Sequence, residues 1–237
     1  MAGAGAALDA VVFDLDGVLV DSRRPIAACL NAALADHGLA PEPEDRLHRF
    51  IGPPLRDAFL ALLAARGAEA SAVDACIARY RHHYREASLA LTVPFPGVPE
   101  LLDALAADGL RLAVATSKPE AFARPILERL ALAPRFDVIV GPPLERTHEE
   151  DKTGTLGRAL RALAAPGRTA MVGDRHVDVR AGLHHGCLTV GAVWGIGGAD
   201  ELRAAGAHLL AASPSALAAL LRRAPSAAPR REGAEGA

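Results

Sequence analysis

The sequence predicts an α/β fold, a Rossmann-like parallel sheet core with an all-helical segment inserted after its first strand. Three observations predict it. Short apolar, β-branched runs alternate with helical patterns along most of the 237 residues. These runs are apolar at successive positions, as in strands covered on both faces. The stretch from about Ser22 to Leu91 holds helical patterns and no convincing strand. The bounds are a core of 8–21 and 92–222, a helical cap of 22–91, and a tail of 223–237. The tail is rich in Pro, Ala, Gly and charge and is expected to be disordered.

The first strand is "AVVFDL" (10–15), which runs straight into Asp16 and Gly17. The cap follows. "PIAACLNAALADHG" puts Ile26, Cys29, Leu30, Ala33 and Leu34 on one helical face and stops at Gly38. "PLRDAFLALLAARG" repeats the pattern with Leu55, Phe59, Leu62 and Leu63. "SAVDACIARYRHHYREA" opens with a Ser71/Asp74 capping pattern and aligns Val73, Cys76, Ile77, Tyr80 and Tyr84. "VPFPGVPE" (93–100) is a stiff, helix-breaking return to the core. Four further strands are read at "LRLAVATS" (110–117), "FDVIVG" (136–141), "RTAMVGD" (168–174) and "CLTVGAVWG" (187–195), separated by helices. "SPSALAALLRR" is the last clear helix.

Composition narrows the function classes. A formal charge of −2 gives no footprint for nucleic acid or an anionic membrane. Cys29, Cys76 and Cys187 are odd in number and widely spaced, so neither a disulfide framework nor a structural zinc site is expected. With no signal-like or membrane-spanning apolar window, the expected location is the cytoplasm. Of 26 basic residues, only Lys118 and Lys152 are lysine. Each lysine then marks a place where a slim point charge serves better than a planar fork.

In an open parallel sheet, ligands sit beyond the C-terminal strand ends. Here those ends carry Asp14-Leu15-Asp16-Gly17, Thr116-Ser117-Lys118 and Gly173-Asp174, with Asp178 four residues on. Lys152 begins a helix between the third and fourth strands. Such a set suits phosphoryl transfer. One carboxylate acts as nucleophile and a second as acid and base. Clustered carboxylates suit Mg²⁺, a hard cation that takes oxygen ligands. A hydroxyl, backbone N–H groups and a lysine hold phosphate oxygens.

On these residues the chain resembles the haloacid dehalogenase superfamily hydrolases, in the phosphoglycolate-phosphatase-like branch with a small helical cap. "DLDGVLVDS" is similar to the family's first motif, "AVATSKP" to its second and "GDRHVDVRAG" to its fourth. The likeness covers about residues 8–222. It implies Asp14 as nucleophile and Asp16 as general acid/base. It also implies Mg²⁺ held by Asp14, the Asp16 carbonyl, Asp174 and Asp178, the last directly or through water. Thr116, Ser117, Lys152 and Gly17 would bind phosphate. The third motif departs from the family, with Thr153 where close relatives often have proline. Lys152 is favoured as the phosphate-neutralising lysine, and Lys118 is its rival. The implied substrate is a small phosphorylated metabolite similar to phosphoglycolate, with 5′-nucleotides or a sugar-phosphate mutase reaction as alternatives. A phospho-acceptor signalling module, from a different class, would use a similar residue set but has no need of a cap.

Substrate selection is expected at the cap turn "RFIGPPLRDAF" (49–59), where Arg49, Gly52 and Arg56, together with Lys118, could meet the group beyond the phosphate. Asp178 is also read as a helix N-cap. The histidine pairs at 82–83 and 184–185 lack zinc-type company. "GIGG" (195–198) reads as a loop rather than a nucleotide cradle.

Overall fold

The computed structural model describes residues 8–146, 151–164 and 167–223. Strand β1 (Ala10–Phe13) is followed by a tight loop and a short strand, β2 (Val20–Asp21). Helices α1 (Arg23–Asp36), α2 (Glu44–Leu47), α3 (Leu55–Ala64) and α4 (Val73–Leu91) come next. Strand β3 (Val93–Pro94) pairs antiparallel with β2, so the helical segment leaves and rejoins the chain through one two-stranded ribbon. The remainder alternates: α5 (Val98–Ala107), β4 (Arg111–Ala115), α6 (Glu120–Arg129), β5 (Val138–Val140), α7 (Lys152–Ala162), β6 (Thr169–Gly173), α8 (His176–His184), β7 (Leu188–Ala192), α9 (Gly198–Ala204), β8 (Leu209–Ala211) and α10 (Pro214–Arg223).

The six-stranded sheet has the order β5-β4-β1-β6-β7-β8, and every pairing in it is parallel. The chain works outward from β1 to β4 and β5, then crosses back to build β6, β7 and β8 on the other side. The reversal opens a crevice at the C-terminal ends of β1, β4 and β6. All four residues of β1 are fully buried. Val11 and Phe13 face a cluster that includes Leu102 and Leu217, from α5 and α10. Ala10 and Val12 face Leu156 and Ala181, from α7 and α8. Alternate residues thus enter opposite layers, and both are apolar because helices cover both faces. Burial of each large aliphatic side chain contributes about 1.5–3 kcal/mol.

The helices of residues 23–91 have their own apolar cluster, with Leu30, Leu34, Phe59, Leu62, Cys76 and Tyr84 inside it. Phe122 of α6 joins that cluster, and Ile196 packs against it. Tyr80 and Tyr84 stack at 5.2 Å, and Phe122 meets Tyr84 edge-on at 5.4 Å. These rings tie the inserted helices to the sheet's open edge.

Several expectations change. Ser71 does not cap α4: it lies in a 3₁₀ turn, the helix begins at Val73, and Asp74 pairs with Arg56 instead. Strands β2, β3 and β8 go beyond the sequence reading, because two- and three-residue strands carry almost no periodicity, and the seven-residue helix α9 is a further addition. The expectation for 223–237 lies outside the described residues apart from Arg223, the last residue of α10. Among the described residues, no helix is long and apolar enough to cross a membrane.

Candidate active site

Asp14 follows β1 directly and still takes part in the ladder, its N–H donating to the Val172 carbonyl at 2.9 Å. The strand therefore delivers its carboxylate to the sheet edge, where it is 9% exposed. Asp174 follows β6 and Asp178 lies in the first turn of α8, both at 0% exposure. One oxygen from each of these three carboxylates lies within 4.8 Å of the others. Lys152, the first residue of α7, reaches in from the side. Its Nζ lies 2.6 Å from Asp14 Oδ1 and 2.8 Å from Asp178 Oδ1. One ammonium thus pairs with two of the three clustered carboxylates.

The electrostatics follow from that imbalance. Burial, with Asp178 and Asp16 adding to it, raises Asp14 to about 6 despite the opposing pull of Lys152. Burial and then Asp178 and Asp14 push Asp174 well above the carboxylate range. Burial opposes the charge on Lys152, but Asp14 and Asp178 outweigh it and hold the ammonium above the ordinary lysine range. Asp174 Oδ2 accepts from the Ile196 N–H at 2.8 Å, whereas Asp174 Oδ1 is buried with no hydrogen-bond donor. A buried carboxylate oxygen of this kind calls for a cation. The donor set is all oxygen, which fits Mg²⁺.

Glycines make the closeness possible. Gly17 has φ +86°, and a Cβ there would fall 2.1 Å from Asp174 Oδ2. A Cβ on Gly195 would fall 2.3 Å from Asp174 Cβ. The loop read as a plain "GIGG" connection is therefore the back wall of the acid cluster, with its Ile196 amide holding one Asp174 oxygen. The Gly17 amide donates to Val20 O at 3.0 Å. Gly17 serves the site through its missing side chain.

Asp16 stands apart from the three clustered carboxylates. Its Oδ1 accepts from Lys118 Nζ at 2.7 Å, and the same ammonium donates to the Tyr84 hydroxyl of α4 at 2.5 Å. The two lysines thus divide the aspartate pair, Lys152 on Asp14 and Lys118 on Asp16. Thr116 is 1% exposed, and its Oγ1 accepts from the Lys118 backbone N–H at 3.1 Å, which leaves the hydroxyl proton for another acceptor. Ser117 is exposed beside it.

Asp178 sits one turn deeper than a cap, at the third helical position, where Oδ2 accepts from the Arg175 N–H at 3.1 Å. Arg175 is a further site residue that sequence reading missed. Its Nη1 donates to Ile51 O at 2.7 Å, and its Nε pairs with Glu201 at 3.0 Å. His176 Nδ1 meets the same Glu201 oxygen at 2.7 Å. Arg175 therefore fastens the cap turn to the strand end that carries Asp174. Gly52, at φ +100°, lies against the Arg175 side chain.

Arg49 and Arg56 each have a partner in the cap. The Arg49 guanidinium stacks on Phe50 at 4.7 Å. Arg56 pairs with exposed Asp74 at 2.5 Å. Asp74 and Tyr84 are ten residues apart on α4, which is roughly 15 Å of helix. Arg56 therefore points to solvent, away from the end of α4 that meets Asp16. A cavity of about 550 Å³ lined by Arg161, Arg168, His185 and Cys187 opens at the N-terminal ends of β6 and β7, opposite the acid cluster.

A family profile described as Haloacid dehalogenase-like hydrolase matches residues 11–192. The chain is 39% identical over 196 residues to a 5′-nucleotidase of Pseudomonas aeruginosa, covering 82% of this chain and 86% of that one. It is 33% identical over 186 residues to a phosphoglycolate phosphatase of Aquifex aeolicus, covering 78% and 84%. It is 41% identical over 192 residues to the tyrosine-protein kinase PtkA of Mycobacterium tuberculosis, covering 80% of this chain but spanning 64% of that protein. In three dimensions it is similar to a predicted phosphatase from Clostridium acetobutylicum, with a TM-score of 0.83 and 30% identity over 92% of this chain and 100% of the other.

Proposed function

The chain belongs to the haloacid dehalogenase-like hydrolases, and from that premise we propose that it hydrolyses a small phosphomonoester through a phospho-aspartate on Asp14. The observation that carries this reading is Lys152 Nζ set between Asp14 and Asp178, 2.6 and 2.8 Å away, beside the buried, donorless Asp174 oxygen. Asp14 Oδ attacks phosphorus in line as the bond to the leaving oxygen breaks, and the Asp16 carboxyl passes its proton to that oxygen. Asp16, now a carboxylate, takes a proton from water. The resulting hydroxide displaces phosphate from Asp14 and restores both groups. Lys152 and the Thr116 hydroxyl bind the equatorial phosphate oxygens, with Ser117 at the rim.

Asp14, Asp174, Asp178 and the Asp16 carbonyl would hold Mg²⁺, which offsets the repulsion between an anionic nucleophile and an anionic phosphate. We read residues 22–91 as a lid hinged on the β2–β3 ribbon, whose turn at Ile51-Gly52 closes over Arg175 and excludes water. Substrate choice then rests on Arg49, Gly52 and Lys118 rather than on Arg56. A phosphoglycolate-like substrate is the leading reading. The 39% identity to a 5′-nucleotidase favours nucleoside monophosphates as the second. We place the enzyme in the cytoplasm, which its three free, buried cysteines support.

The test is a phosphate-release screen over phosphorylated metabolites with Mg²⁺, wild type against Asp14→Asn. We expect Mg²⁺-dependent release with a clear preference among monoesters, and a loss of at least ~10³-fold in kcat for the variant with its fold retained. Turnover near wild type in the variant would sink the reading.

A further inference from the structure

Lys118 is a three-way junction. Its Nζ donates to Asp16 Oδ1 at 2.7 Å and to the Tyr84 hydroxyl at 2.5 Å, while its backbone N–H donates to Thr116 Oγ1 at 3.1 Å. All three partners are buried or nearly so: side-chain exposure is 6% for Lys118 and 14% for Asp16, and Tyr84 as a whole is 2% exposed. Asp16, Thr116 and Lys118 come from the core, whereas Tyr84 comes from α4 of the cap.

We propose that Tyr84 is a positioning residue for the leaving-group proton, acting through Lys118 on the side chain of Asp16. This rests on the assignment of Asp16 as the general acid. A lysine has four rotatable stem bonds and sets no direction by itself. Tyr84 supplies the direction because its ring cannot turn, being stacked on Tyr80 at 5.2 Å and met edge-on by Phe122 at 5.4 Å. With its ammonium fixed between a phenol and a carboxylate, Lys118 holds Asp16 in one rotamer. The phenol reaches that place only when α4 lies against α6. Cap closure is thereby read out at the acid rather than at the nucleophile, whose lysine partner, Lys152, belongs wholly to the core.

The consequence is specific to the leaving group. Removing the Tyr84 hydroxyl loosens the proton donor and leaves nucleophilic attack by Asp14 in place. Phenyl phosphate and 4-nitrophenyl phosphate have the same ring, but the phenoxide leaves poorly without a proton and the nitrophenoxide leaves readily. For Tyr84→Phe, kcat/KM should fall about tenfold for phenyl phosphate and less than about twofold for 4-nitrophenyl phosphate, a part of the ~10²–10⁴-fold that general acid catalysis supplies. Tyr80→Phe removes the neighbouring hydroxyl from the same ring stack and should leave the ratio of the two substrates unchanged. Equal losses on both substrates, or no loss on either, would overturn the inference, since a packing role alone moves both together. Asp16→Asn is measured alongside. If it shifts the ratio and Tyr84→Phe does not, only the role of Tyr84 fails. If Asp16→Asn leaves the ratio unchanged, the assignment of Asp16 fails and the inference with it.

Discussion

At the core edge of the site, three carboxylates and one lysine are packed beyond the ends of adjacent parallel strands and are closed in by glycines. At the cap edge, a phenol, a lysine and one aspartate meet across a gap in sequence of 102 residues on one side and 34 on the other. The two edges serve the same reaction but are built by different means. The core edge is made of buried carboxylates that one lysine does not balance, so the proposed reaction calls on a cation there. The cap edge is balanced in itself and depends on where α4 lies. On the proposed reading, binding of metal and closure of the lid are separable, and each can be perturbed without the other.

The sharpest break comes at Lys152. Lys152→Met removes the ammonium that pairs with Asp14 and Asp178. Loss of one partner from a buried pair typically costs about 3–5 kcal/mol. Urea unfolding without Mg²⁺ should show a loss of that order, and saturating Mg²⁺ should recover much of it. A loss of the same size with and without Mg²⁺ would contradict the idea of a shared charge site. Gly195→Ala tests the same edge sterically. Its new Cβ would sit 2.5 Å from Asp174 Oδ2, so Asp174 must move. Supports of this kind are commonly worth about 10–100-fold in metal affinity, and a Mg²⁺ titration of activity should show a rise within that range.

The pH dependence has a defined sign. Asp14 titrates at about 6 in the folded chain, against the ordinary 3.8 expected when unfolded. Between those values the folded state binds the extra proton, so the contribution of this group to stability falls as pH rises through the window. Mg²⁺ binds carboxylates, so its stabilising effect should grow over the same range. The rise in Tm on adding Mg²⁺ should be small at about pH 4.5 and larger at about pH 7. A Mg²⁺ effect that does not change with pH would show that Asp14 is not part of the metal-sensitive set.

The smallest effect is expected on the cap surface. Arg56→Ala removes an exposed pair with Asp74 and should change stability by less than ~0.5 kcal/mol. It should change kcat/KM by less than about twofold on any monoester. A large rise in KM for a carboxylate-bearing substrate would return Arg56 to the site.

Much of the core edge is legible in the sequence because strand ends impose fixed spacing. A buried strand must end where charge begins, so Asp14 and Asp174 could be read directly after apolar runs, and Asp178 four residues later. The two lysines could be read from their rarity among arginines. What the sequence hides is mostly long-range. The Arg175 bond to Ile51 crosses 124 positions, and no local pattern announces it. Tyr84 follows the helical period that places it in the cap's apolar cluster, and only the fold shows that its hydroxyl meets the Lys118 ammonium that also holds Asp16. The "GIGG" loop carried a signal in its glycine density, but spacing alone does not say which side chain needs the room. For Arg56, proximity in sequence to the cap turn gave no information on side-chain direction, and it pairs with Asp74.

The most direct test of the central claim is rapid acid quench of the enzyme during turnover with Mg²⁺, followed by peptide mapping by mass spectrometry. The account predicts an acid-stable, base-labile phosphoryl group on the peptide that contains Asp14, chemically reducible at that residue and missing in Asp14→Asn. Steady turnover with phosphate found on any other residue would contradict it.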